Sequence, residues 1–121
     1  MYANSVHFQW INVVYSMEVI ETDIFTKRIQ EILSDEEYSE LQADLIKNPE
    51  VGKLIPGGKG LRKLRWSGGG KGKRGGIRII YYLYLSAQKI YMIYPFKKSD
   101  QTDLTAEQLK ALTQYVKGGV L

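Results

Sequence analysis

The chain has no cysteine among its 121 residues, which excludes a disulfide framework, a thiolate metal site and cysteine nucleophilic catalysis together. Histidine is nearly as scarce. His7 is the only one, so neither a histidine metal cluster nor a His-centred general base has material to build on. No apolar run approaches the length that a membrane-spanning helix needs. Residues 1–16 have no basic lead-in, and the apolar run at 10–15 is short and broken by Asn12, so this is not the pattern of a signal peptide. Met17 stands just before the first regular element. Residues 1–16 are therefore read either as an extra N-terminal strand or as the product of an over-long start assignment, and residues 17–121 as a single domain. The expected location is the cytoplasm, with no membrane association, metal or cofactor.

The most informative shortage is of acid. Residues 1–50 hold three bases (Lys27, Arg28, Lys47) and ten acids, residues 51–99 hold twelve bases and no acid, and residues 100–121 hold two bases and three acids. The net charge of +4 hides this partition. Bases with no acidic neighbour in sequence predict a surface for a polyanion. Pairing with the acidic N-terminal half after folding is the bland alternative, and it neutralises a few of the twelve more easily than all of them. Anionic lipid is disfavoured because the basic stretch has strand periodicity rather than that of a basic amphipathic helix.

Residues 18–21 read as a short strand. Thr22 or Asp23 caps a helix with Ile24, Phe25, Ile29, Ile32 and Leu33 at helical spacing. Ser34 and Glu37 form a capping box for a second helix, with Tyr38, Leu41, Leu45 and Ile46 as its apolar stripe and Asn48-Pro49 as its stop. Its acids, Asp35 and Glu36, suit the positive end of the helix dipole or a solvated face.

After residue 50 the period changes. Residues 61–66 alternate, with Lys63 and Arg65 on one face and Leu64 and Trp66 on the other. Residues 67–76 are a Gly-rich basic hairpin loop. Residues 77–85 form a strand with Ile77, Ile79, Tyr81, Leu83 and Leu85 on one face and Arg78, Ile80, Tyr82 and Tyr84 on the other. Residues 89–96 are the next strand, and a helix capped by Thr105 runs over 105–117. The fold class is α+β: two N-terminal helices packed on a small antiparallel sheet, with a C-terminal helix. Such a sheet covers one face and leaves the other wet, and the function is expected on the wet face. Tyr81 and Trp66 are assigned to the core. Tyr82 and Tyr84, on the Arg78 face, suit either base stacking or cross-strand packing.

The two-helix acidic half, Gly60-Leu61-Arg62-Lys63-Leu64-Arg65, the loop Lys71-Gly72-Lys73-Arg74-Gly75-Gly76, the strand Ile77-Arg78-Ile79-Ile80-Tyr81-Tyr82, Lys97-Lys98-Ser99-Asp100 and Asp103-Leu104-Thr105 together resemble the HigB branch of the RelE superfamily of toxin–antitoxin proteins. The resemblance covers residues 17–117, and its most specific feature is the basic glycine loop running into Arg-Ile-Ile-Tyr-Tyr. It implies a RelE-like fold and a metal-independent, ribosome-dependent endoribonuclease that cuts mRNA and inhibits translation. It also implies a cognate antitoxin as partner, with operator DNA reached only through that antitoxin. The family's basic pair before the loop matches Lys63 and Arg65, with a shift toward Arg62 left open. Its arginine after the loop matches Arg78, and its basic residue after the last strand matches Lys97 or Lys98. Many members carry a base-stacking tyrosine in the C-terminal segment. Here Gln101-Thr102-Asp103-Leu104-Thr105 has no aromatic, and Tyr82, Tyr84 or Tyr94 is the candidate substitute.

Cleaving RNA without metal needs a proton acceptor for the 2′-hydroxyl, charge stabilisation at phosphorus and a proton for the departing 5′ oxygen. Arg65 and Arg78 suit the clamp, since a guanidinium stays charged and grips phosphate in a fork. Lys63 is the proton-transfer candidate, with Lys71 or Lys73 as alternatives, and Lys98 positions substrate. Arg62, Lys71, Lys73, Arg74, Tyr82, Tyr84 and Lys97 are candidate RNA contacts, those of the loop gripping ribosomal RNA. The loop lacks the Gly-Lys-Ser/Thr ending of a nucleotide P-loop. Without histidine, proton transfer on free RNA is expected to be slow, and alignment by the ribosome, contributing about 7–11 kcal/mol, supplies the difference. The competing classes are a non-catalytic RNA- or ribosome-binding module and an inactive homologue acting only through antitoxin and operator DNA.

Overall fold

The computed structural model describes the backbone of residues 2–10, 13–68 and 76–117 and the side chains of 17–68 and 76–116. β1 (Tyr2–Trp10) pairs antiparallel along its whole length with β2 (Val13–Glu21), which extends the predicted short strand toward the N-terminus. At the end of β2 the chain leaves the sheet through Thr22. Its N–H donates to the carbonyl of Met92 at 3.0 Å, its hydroxyl accepts from the N–H of Phe25 at 3.1 Å, and the same hydroxyl donates to the carbonyl of Ile93 at 2.7 Å. One buried threonine thus ends a strand, starts a helix and satisfies a neighbouring strand.

That helix, α1 (Asp23–Ile32), buries Phe25 and Ile29. In α2 (Asp35–Lys47) the capping box forms both of its bonds, Glu37 N–H to Ser34 Oγ at 3.1 Å and Ser34 N–H to Glu37 Oε1 at 2.9 Å. The strands that follow are β3 (Lys53–Leu54), β4 (Leu61–Trp66), β5 (Ile77–Tyr84) and β6 (Lys89–Lys97), with a 3-10 turn at Leu85–Ala87. α3 (Ala106–Lys117) closes the described chain.

The fold is α+β, built on a six-stranded sheet in the order β1-β2-β6-β5-β4-β3. The sheet is mixed rather than antiparallel throughout, because β2 runs parallel to β6. Residues 22–88, with both helices and three strands, lie between β2 and β6, and a connection of that length permits the parallel direction that a tight turn forbids. β3, only two residues long, was not anticipated; so short a strand presents little backbone for pairing at its edge.

The expectation of one covered face and one wet face holds only in part. Met17, Val19, Leu64, Trp66, Ile77, Ile79, Tyr81, Ile90 and Met92 form one core with the apolar stripes of α1 and α2. On the other face Leu61, Ile80, Tyr91, Ile93 and Phe96 form a second core, covered by Leu112 with Leu104, Leu109 and Val116. Five large apolar side chains on that face are costly to leave in water, and α3 is the element that covers them. β6 contains a bulge where Ile80 pairs with Tyr94 but Tyr81 with Met92, leaving Ile93 unopposed. The Thr22 hydroxyl donates to the Ile93 carbonyl at this bulge.

Replacing Thr22 by Val keeps the shape and removes both hydroxyl bonds, so it is expected to cost about 2 kcal/mol. Ser34→Ala, at an exposed cap, is expected to cost about 1 kcal/mol. Urea unfolding of the two variants checks both values and their order.

Candidate nucleic-acid interface

Alternation along β4 places Leu61, Lys63 and Arg65 on the face that α3 partly covers, and alternation along β5 places Arg78, Ile80 and Tyr82 there too. The register sets Arg65 directly opposite Arg78 and Lys63 opposite Ile80. The three cations proposed as the centre of the site therefore share one face of two adjacent strands. Their exposures differ. Arg78 is buried, at 6% of its full accessibility, whereas Arg65 is exposed and Lys63 half-buried. Burial pushes the Arg78 pKa down, the neighbouring Arg65 charge pushes it further, and Asp103 opposes both. A guanidinium starts so high that Arg78 stays charged at any working pH.

Asp103 is the residue that sequence reasoning missed. Its Oδ1 accepts from Lys63 Nζ at 3.0 Å and from the N–H of Leu104 at 2.8 Å. The hydrogen bond from Lys63 holds its carboxyl below the usual carboxylate range, and the Leu104 N–H and the charges of Lys63 and Arg78 add to this against a partial desolvation. Its position is fixed by the entrance to α3. Thr105 and Gln108 exchange bonds as a cap, Gln108 N–H to Thr105 Oγ1 at 3.0 Å and Thr105 N–H to Gln108 Oε1 at 2.9 Å, and Gln101 Nε2 donates to the carbonyl of Asp103 at 2.8 Å. The motif Asp103-Leu104-Thr105 was visible in the sequence, but nothing local says that it folds back 40 residues onto Lys63.

The remaining expected residues divide. Lys98 comes to the head of β5, its N–H reaching the carbonyl of Gly76 at 3.3 Å, and Lys97 lies opposite Ile77; both are exposed. Lys71, Lys73 and Arg74 lie outside the described residues. The glycines flanking that loop are needed: Gly68 has φ +62° with the Trp66 ring 2.4 Å from where a Cβ would stand, and Gly76 has φ +59° with the Trp66 carbonyl oxygen at 2.5 Å.

Arg62 points to the opposite face from Lys63 and Arg65, and its Nη1 donates to the carbonyls of Gly52 at 2.8 Å and Glu50 at 3.2 Å. Tyr81 holds the same connection, donating to the carbonyl of Pro49 at 2.7 Å and accepting from the N–H of Gly52 at 2.9 Å. Tyr82 is half-buried against the second core and Tyr84 is exposed at the far end of β5. Four residues of strand, roughly 13 Å, separate Tyr82 from Arg78. Tyr94 lies elsewhere, under the Arg28 guanidinium at 4.7 Å.

Beside the cations opens a cleft of about 390 Å³, lined by Lys53, Leu54, Ile55, Pro56, Lys63, Asp103, Leu104 and Leu109. The arrangement suits an anion gripped by Arg65 and Arg78, with a lysine and a carboxylate beside it. No known protein-family model matches the chain. Among the described residues no helix is long and apolar enough to cross a membrane.

The lowered Asp103 pKa carries a signed consequence. A carboxyl whose folded-state pKa is depressed stabilises the fold above its unfolded pKa and loses that contribution as pH falls through the lowered value. Asp103→Asn is thus expected to melt below the wild type at neutral pH, by an amount worth within about 1 kcal/mol for so exposed a pair. The two melting temperatures should converge as pH drops below the ordinary aspartate range. Thermal melts across that range measure it, and a constant gap would remove the pair as its source.

Proposed function

We propose that this protein is a cytoplasmic, ribosome-dependent endoribonuclease that cuts mRNA, the toxin of a type II toxin–antitoxin pair of the RelE/HigB kind. The observation that carries the reading is the placement of Arg65 opposite Arg78, with Lys63 one position along the same face. Like charges directly opposite in a sheet are destabilising. Arginines facing each other from adjacent strands suit a phosphate, which a guanidinium grips in a fork. The acid-free stretch that supplies them, residues 51–99, gives the surrounding surface the sign that RNA requires.

In this reading the 2′-hydroxyl gives up its proton to water as its oxygen attacks the adjacent phosphorus, the bond from phosphorus to the 5′ oxygen breaks, and a 2′,3′-cyclic phosphate is left. Arg65 and Arg78 hold the non-bridging oxygens as negative charge grows on them. Lys63 passes its proton to the departing 5′ oxygen, and Asp103 fixes Nζ in place for the transfer. Lys98 positions the strand, and Lys71, Lys73 and Arg74 grip ribosomal RNA. A cognate antitoxin silences the toxin by covering the basic face or the N-terminal helices, and operator DNA is reached through it alone.

One observation favours a second reading, a non-catalytic RNA- or ribosome-binding module: Lys63 Nζ is already engaged by Asp103 at 3.0 Å. Induced expression in bacteria followed by mapping of mRNA ends separates the two. Cuts within translated codons are expected, whereas growth arrest with intact messages would reject cleavage. Arg65 is the cleaner residue to change, since Arg78 is buried and its loss disturbs the second core. Arg65→Ala is expected to lower cutting by about 10²-fold. Its melting temperature should stay level or rise slightly as the cross-strand repulsion is removed. Undiminished cutting would show that Arg65 is not in the clamp.

A further inference from the structure

The two edges of the sheet are built differently. At one stands β3, which is two residues long, begins with Lys53 and is soon followed by Pro56. Shortness, a lysine and a proline are devices that keep a sheet edge from pairing with another chain. At the other edge stands β1, nine residues long. Its sequence, from Tyr2 to Trp10, contains no Asp, Glu, Lys, Arg or Pro. Its register with β2 runs unbroken from Tyr2 opposite Glu21 to Trp10 opposite Val13, so no bulge turns the strand away. Among the described residues no strand lies outside it. α2 packs on β1 and on β2, over the face of the pair and not along its edge.

A strand with a neighbour on one side leaves half of its backbone N–H and C=O groups facing outward. Along β1 these form a row that no charge guards, which is a template for a further strand. The RNA reading makes no use of it. Residues 17–117 carry the family resemblance and β1 precedes them, while Arg65 and Arg78 stand on β4 and β5, beyond β2 and β6 in the sheet order.

We propose that β1 is a homodimer interface, pairing antiparallel with β1 of a second copy about a two-fold axis at Val6, so that the two sheets join into one. The composition of the strand selects a second copy over a foreign strand. Charge is what commonly addresses a foreign partner, and β1 offers none. Two copies of an uncharged strand, by contrast, meet without opposing like charges. A two-fold axis gives each copy the same patch, and the blunt β3 edge ends the assembly at two, where a second open edge would propagate it. Val6 is the midpoint of Tyr2–Trp10, so centring there keeps the whole strand paired and sets Ser5 opposite His7 of the partner subunit. The dimer leaves both basic faces open, because the joined edge is the one remote from β4.

Sedimentation equilibrium of the full chain tests this, with two double variants beside the wild type. Ser5 faces Glu18 of β2, so a lysine at that position suits the hairpin. Ser5→Lys with His7→Lys sets lysine against lysine twice across the axis and is expected to weaken dimerisation about tenfold. Ser5→Lys with His7→Glu sets lysine against glutamate twice at the same positions and is expected to dimerise at least as tightly as the wild type. Circular dichroism checks that both variants fold. A wild-type chain that stays monomeric at micromolar concentration, or whose mass climbs past two copies, overturns the inference. Equal behaviour of the two variants, whether both dimerise or neither does, overturns it as well. The RNA reading stands or falls separately.

Discussion

Two arginines held face to face across adjacent strands are the constraint on which the arrangement of this protein turns. Nothing in β4 or β5 by itself prefers to set Arg65 against Arg78; the opposite face of the same strands enforces it. Leu64 and Trp66 on β4, and Ile77, Ile79 and Tyr81 on β5, all belong to the core beneath α1 and α2. A slip of one residue would drive that whole set to the other side and bury the charges in its place. Trp66 tightens the lock, since its indole Nε1 donates to Asp44 Oδ2 of α2 at 2.9 Å. The apolar register thereby positions the polar site.

The division of charge along the chain takes a spatial form. Several acids of the N-terminal half are engaged away from the cationic cluster: Glu21 accepts from Thr26 and from Tyr38, Glu37 completes a helix cap, and Asp44 receives Trp66 of β4. Burial, first, and then Glu21 push the Tyr38 phenol far above its ordinary value, so this contact is between a neutral hydroxyl and an acceptor. Glu18 meets Lys89 at 3.8 Å, at the far end of the sheet from Arg78. Asp103, whose carboxylate meets Lys63, comes from beyond the acid-free stretch, on the segment that introduces α3.

Local chemistry was legible and distant contacts were not. The capping box at Ser34, the cap at Thr22, and the alternation that sorts Lys63 from Leu64 and Arg78 from Ile79 all depend on residues within a few positions of one another. They could be read directly. The parallel pairing of β2 with β6, the tie between Asp103 and Lys63 and the folding of α3 over Ile80 and Phe96 join residues far apart, and no periodicity encodes them. Arg62 shows the same limit at one residue's distance. It sits in a basic run beside Lys63 and Arg65, yet the pleat turns it to the other face, where it secures two backbone carbonyls. Tyr82 and Tyr84 were placed on the correct face, and the register sets Tyr82 opposite Leu61, four residues along the strand from Arg78.

The parallel contact between β2 and β6 also governs the order in which the molecule can come together during synthesis. Residues 18–21 await residues 89–92 as their neighbours on that side. A nascent chain that has released only its acidic half therefore holds a strand with a bare inner edge and two helices with little sheet to rest on. α3 and the carboxylate beside Lys63 leave the ribosome later still. The basic site thus acquires its finished shape only after the segment that leads into α3 has emerged.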